Sequence, residues 1–99
     1  MAIMEISIVP VGKGPSISAY VADCIRVLKV SGLPYELTAM GTNIEGNLKD
    51  LIQVARKMHQ APFRKGVDRV LTTIKIDDRR DKKGTLSGKK RAVIQKLVK

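Results

Sequence analysis

Apolar and polar positions change period along the chain, from two where a strand is expected to between three and four where a helix is expected. From Ala2 to Val11, Ile3, Met4, Ile6 and Ile8 stand among Glu5 and Ser7, a strand pattern that Pro10 and Gly12 bring to an end. A Gly12-Lys13-Gly14-Pro15 turn follows, and Ser16 is the natural N-cap for a helix. In that helix Ile17, Val21, Cys24, Ile25 and Leu28 share one face, and Ser31-Gly32 supplies the stop. Pro34 opens a second strand, Tyr35 to Met40, in which Tyr35, Leu37 and Ala39 alternate with Glu36, Thr38 and Met40. Gly41-Thr42-Asn43 reads as a turn, with Ile44-Glu45 as a short return strand before Gly46. Asn47 caps a second helix over 48–60, with Leu48, Leu51, Ile52, Ala55 and Met58 on one face and Asp50 at the positive end of its dipole. Pro62 kinks or ends it. The last strand runs from Val67 to Ile76, with Val70, Thr72, Ile74 and Ile76 on one face. Asp77 to Gly84 reads as a charged loop, after which Thr85 caps a terminal helix at about 85–98 carrying Leu86, Val93, Ile94 and Leu97 on one side.

The order β-α-β-β-α-β-α predicts an α+β protein: a ferredoxin-like antiparallel sheet with helices on one face and one added C-terminal helix. Its 99 residues, 43% of them hydrophobic, suit a single domain over 1–99. The sheet's second face would carry Glu5, Ser7, Glu36, Thr38 and Met40, too apolar to stand bare and too polar for a sealed core. That face calls for a ligand or a second copy, joined face to face or edge to edge. Val27 and Val30, off the main stripe of the first helix, point the same way.

Charge changes the picture at one end only. Residues 79–99 hold nine basic groups and one acid, residues 1–78 ten against eight, so most of the net +10 lies in the tail. Such a tail admits RNA phosphates as partners, but it has no aromatic residue for base stacking, and Lys89, Lys90 and Lys96 also suit a solvated helix face. Catalytic chemistry is sparse. His59 is the only histidine and Cys24 the only cysteine, so a disulfide within the chain and a multi-thiolate metal site are excluded; both residues read as structural. The Gly12–Pro15 turn lacks the spacing of a phosphate loop. With neither a signal-peptide pattern nor a membrane-spanning apolar run, the expected location is the reducing cytoplasm.

Four ordered motifs then carry a resemblance over nearly the whole chain. They are Ser16-Ile-Ser-Ala-Tyr20-Val-Ala22, Ser31-Gly-Leu-Pro-Tyr35-Glu-Leu-Thr38, Met40-Gly-Thr-Asn-Ile-Glu-Gly46 and Gly66-Val-Asp-Arg69 running on to Arg79-Arg80-Asp81. Together they resemble the small thiamine-binding protein family; Pro62 and the basic tail depart from the pattern. The resemblance implies a non-catalytic protomer that assembles into dimers and tetramers and binds thiamine or its hydroxymethylpyrimidine moiety, with no cofactor or metal. Thr38, Thr42, Asn43 and Glu45 would then meet the aminopyrimidine from one hairpin, Glu5 and Ser7 would complete the pocket, and Tyr20 or Tyr35 would stack on the ring. Glu36, with Glu5 and Glu45, would offset the repulsion of a thiazolium cation by a basic protein. Arg69, Arg79 and Arg80 are expected at assembly contacts or on a phosphate of the ligand. An RNA-binding accessory protein and an oligomeric regulatory scaffold are the alternatives.

Overall fold

The computed structural model describes residues 1–12, Gly14, 17–81 and 86–97. Its elements are β1 (Ala2–Pro10), α1 (Ser18–Ser31), β2 (Tyr35–Thr38), β3 (Gly41–Gly46), α2 (Leu48–Gln60), a 3-10 turn (Pro62–Lys65), β4 (Val70–Asp78) and α3 (Leu86–Leu97). The four strands lie in the order β2-β3-β1-β4 and every pairing is antiparallel. This is the expected ferredoxin-like α+β arrangement. Alternation along β1 sends Ala2, Met4 and Ile6 to one side, where Ile44 of β3 joins them under Cys24 and Leu28 of α1 and Leu51, Val54, Ala55 and Met58 of α2. That single aliphatic layer between the sheet and the helix pair is the core.

Local chemistry explains the helix ends. The Asn47 side chain accepts the Asp50 amide at 2.9 Å, and its own amide donates to the Asp50 carboxylate at 2.9 Å, so the first turn of α2 is closed from both sides. Gly32 closes α1 in a left-handed conformation at φ 74°, where a side chain would strain the backbone. Asp23 of α1 takes Arg26 and, at 2.7 Å, the Lys65 ammonium, which fastens α1 to the 3-10 turn. The Lys65 hydrogen bond holds the Asp23 carboxyl below the usual carboxylate range, with partial burial working against it. Ser16 and Thr85, the expected caps of α1 and α3, lie outside the described residues; at the start of α1 the capping position belongs to Ile17.

Four expectations change. On α2, Leu48 and Ile52 are exposed and Val54 joins Leu51, Ala55 and Met58 on the buried face. The β2–β3 turn is Ala39-Met40, not Gly41-Thr42-Asn43, and the return strand is six residues long, so Thr42 and Asn43 are strand residues and Met40 leaves the sheet. Gly41 is needed for close approach rather than for turning, because a Cβ there would stand 2.9 Å from the Ile6 carbonyl oxygen. The Thr38 hydroxyl donates to the Gly41 carbonyl at 2.9 Å and closes the hairpin. The last strand begins at Val70 and runs on through Asp77 and Asp78, which pair with Ile3 and Ala2 of β1. Finally, the apolar residues Val93, Ile94 and Leu97 of α3 are exposed, and the helix reaches the body through Lys90, which pairs with Glu36 of β2.

Candidate functional site

The strands differ in length, and that difference makes a cleft. β1 has nine residues, but its pairing with β3 stops at Ile6↔Thr42, because the next positions of the hairpin turn away at Met40. On its other side β1 stays paired to β4 as far as Pro10↔Val70. A cavity of about 300 Å³ occupies the gap. Ser7, Ile8 and Val9 form one wall and Leu37 to Gly41 the other; Ile17, Val21, Cys24 and Ile25 of α1 close over it, and Ile6, Thr42 and Met58 lie beneath. The lining is aliphatic apart from Ser7, Thr38, Thr42 and Cys24, and none of the lining residues is acidic or basic. Thr42 is 5% exposed, and among the described residues its hydroxyl has no hydrogen-bond partner. The oxygen keeps some solvent contact through the cleft, so it is able to donate to or accept from a ligand there.

Cys24 also faces the cleft. Its thiol donates to the Met58 carbonyl at 3.5 Å, and burial, reinforced by the Asp23 charge, pushes its pKa up from 9.0 to about 11. At pH 8 the folded chain therefore carries roughly a hundredfold less thiolate than a free thiol, each unit being tenfold. Alkylation by iodoacetamide at that pH is expected to be slower by at least that factor than in the urea-unfolded chain. Because the fold holds the neutral thiol, this contribution to stability is complete below pH 9.0 and fades as pH rises through about 11, while Cys24→Ala lacks that component. Equal alkylation rates in the folded and unfolded chains would contradict the burial.

The other expected site residues are on the opposite face of the sheet. The register sets Glu36 beside Asn43, Asn43 beside Glu5, and Glu5 beside Lys75, one polar row across all four strands. Glu45 stands in the adjoining row with Ile3 and Asp77, and Thr38, Gly41, Ser7 and Thr73 fill the row on the other side, at the cleft. Ser7, Thr38 and Thr42 therefore meet the cleft, whereas Glu5, Glu36, Asn43 and Glu45 do not line it. Tyr35 packs against the core, and neither it nor Tyr20 reaches the cleft. Arg79 is held by Asp81 at 2.7 Å and Arg80 by Asp78 at 3.2 Å, while the Arg69 carbonyl accepts the Val11 amide. His59 is structural: Nδ1 shares a hydrogen bond with the Thr72 hydroxyl at 2.6 Å, and Phe63 meets its ring edge-on. Sequence patterning missed Ile8, Val21 and Met58 as cleft residues. The available signal was a nine-residue first strand followed by a hairpin too short to pair with all of it.

Among the described residues no group of three His, Cys, Asp or Glu is placed to hold a metal ion, and no helix is long and apolar enough to cross a membrane. Comparison with known proteins supplies the relationship. The chain is 49% identical to the UPF0045 protein YqgV of Bacillus subtilis over 98% of both chains. The crystal structure of the hypothetical protein MJ1052 from Methanocaldococcus jannaschii superposes with a TM-score of 0.86 at 40% identity, over 93% of this chain and 94% of that one. A Thermotoga maritima protein named for thiamine biosynthesis/salvage has the same fold, with a TM-score of 0.79 over 93% and 97% of the two chains, at 16% identity. The model of the thiamine-binding proteins matches residues 4–94, nearly the whole described fold, and the chain belongs to that family.

Proposed function

We propose that this protein is a non-catalytic, oligomeric binding protein for thiamine or its hydroxymethylpyrimidine moiety, and that the ring enters the cleft between β1 and the β2–β3 hairpin. The observation that carries the reading is the cleft itself, mostly aliphatic on its walls with the unpartnered Thr42 hydroxyl beneath. At about 300 Å³ it lies at the small end of ligand pockets and suits one ring better than two. Charge selects which ring. A thiazolium buried here would face no carboxylate and lose several kcal/mol of hydration, whereas a neutral pyrimidine avoids that cost. The cationic ring of thiamine therefore stays at the mouth. Glu5 and Glu36 stand two residues along their strands from Ser7 and Thr38, about 7 Å at ~3.4 Å per residue, and a cation at the mouth would share them with Lys75, 4.0 Å from Glu5, and with Lys90, the partner of Glu36.

Calorimetry with hydroxymethylpyrimidine and with thiamine tests this directly. Val21→Trp should fill the cleft and abolish both, with little change in melting temperature. The double variant Glu5→Gln/Glu36→Gln should weaken thiamine several-fold, in line with ~0.5–1 kcal/mol for partly screened charges, and leave hydroxymethylpyrimidine unchanged. Absence of heat and of a melting shift with both ligands would defeat the reading. If Val21→Trp bound normally while Asn43→Ala and Glu45→Ala did not, the pocket would belong to the open face of the sheet instead.

A further inference from the structure

The cleft holds one more recognition element, in the backbone. Bonded and non-bonded pairs alternate along an antiparallel ladder. The Val11 amide donates to the Arg69 carbonyl at 2.8 Å, one step beyond Pro10↔Val70 in the β1–β4 register. Val11 is therefore a bonded position toward β4, as are Val9 and Ser7, and Ile8, opposite Thr72, is a non-bonded one. The Ile8 N–H and C=O consequently point the other way, toward the hairpin. There the register would set Ile8 against Met40, which has already turned out of β3, and among the described residues no backbone hydrogen bond joins Ile8 to the hairpin. The cleft is thus the place of a missing strand residue. It presents a donor and an acceptor side by side in one plane, with the Thr42 hydroxyl beneath.

We propose that Ile8 reads its ligand as a strand would, its N–H donating to a ring nitrogen and its C=O accepting from an adjacent exocyclic amino group, with the Thr42 hydroxyl as third contact. The ligand class is a planar neutral heterocycle whose edge carries an acceptor next to a donor, as a 4-aminopyrimidine does. This rests on the cleft being the binding site and adds the reason for its selectivity. Main-chain recognition leaves no side-chain signature at position 8, where any residue supplies the same two groups. Selectivity then follows from the unpaired-group rule: a ring without the amino group leaves the Ile8 carbonyl without a partner once the cleft is filled.

The experiment uses the ¹⁵N-labelled full chain with two probes, 4-amino-5-hydroxymethyl-2-methylpyrimidine and the same ring lacking the 4-amino group. Saturation with the first should shift the Ile8 amide resonance and slow its hydrogen exchange at least tenfold. The des-amino ring should bind at least tenfold more weakly, and Thr42→Val should weaken the amino ring several-fold without removing the Ile8 shift. If the amino ring binds but Ile8 exchange is unchanged and the des-amino ring binds equally well, the backbone contact is wrong while the binding reading stands. If Val21→Trp does not block the binding that is seen, the cleft and the contact both fail. If neither ring binds, the contact and the binding reading fall together.

Discussion

Leu28→Ala should lower stability by about 2–5 kcal/mol, the range for removing a fully buried leucine whose site cannot collapse around the gap. Leu28 has 0% exposure and sits where α1 crosses the sheet beside α2, in a tightly filled aliphatic core. Small domains have a total stability of about 5–15 kcal/mol, so one side chain accounts for a large part of it here. Urea denaturation should show a much lower midpoint with an unchanged slope, the signature of lost stability without a changed unfolded state. Val30 is the control. It lies two residues further along the same helix at 89% exposure, and Val30→Ala should change stability by no more than ~0.5 kcal/mol. A loss at Val30 comparable to that at Leu28 would mean that a second copy covers the α1–α2 groove, which Val27, Val30 and Leu33 line on one side and Gln53, Val54 and Lys57 of α2 on the other.

The contrast between these two valine and leucine positions shows why most of the fold was legible. Where one face of an element is buried, the apolar period is strict: Ile17, Val21, Cys24, Ile25 and Leu28 predict α1, and the alternation of β1 predicts which of its residues reach the core. The hairpin was misread because Gly41, Thr42 and Asn43 have turn composition but strand geometry. Gly41 is small because Ile6 is close, and Thr42 is a polar residue in a buried strand position facing a cavity rather than a packed neighbour. Neither reason is local in sequence. The same holds for the cleft, which arises from a mismatch between the end of β1 and the end of β3 across the sheet. The register divides the polar residues expected at one pocket, with Ser7, Thr38 and Thr42 at the cleft and Glu5, Glu36, Asn43 and Glu45 away from it.

Light scattering across a dilution series should return a dimer or tetramer, and β4 is the edge through which a second copy is expected to join. The two edges of the sheet are not equivalent. β2 is four residues long and Glu36 on it is already paired with Lys90, whereas β4 has nine residues. By the alternation that frees Ile8, the backbone groups of Val70, Thr72, Ile74, Ile76 and Asp78 point outward from β4, a row that invites another strand. Beside that row Ile74 and Ile76 are 42% and 37% exposed on the helix side, next to the strand residues that α2 does cover. A two-fold axis that keeps helix side to helix side sets each residue against one of the same parity. Centred on Lys75 it would oppose two ammonium groups, and centred on Ile76 it would set Asp78 against Ile74; centred on Ile74 it pairs Ile74 with its own copy, Thr72 with Ile76 and Thr73 with Lys75. That register brings the two exposed Ile74 side chains together at its centre and leaves the mismatches, Val70 against Asp78 and Leu71 against Asp77, at its ends. Ile74→Lys would then place two charges face to face in an apolar seam and should leave a monomer at micromolar concentration, while Lys75→Glu, opposite a threonine, should leave the assembly intact. A parent chain that is monomeric across the series would end the proposal of self-association, and an Ile74→Lys chain that still assembles would move the interface to the open face or the α1–α2 groove.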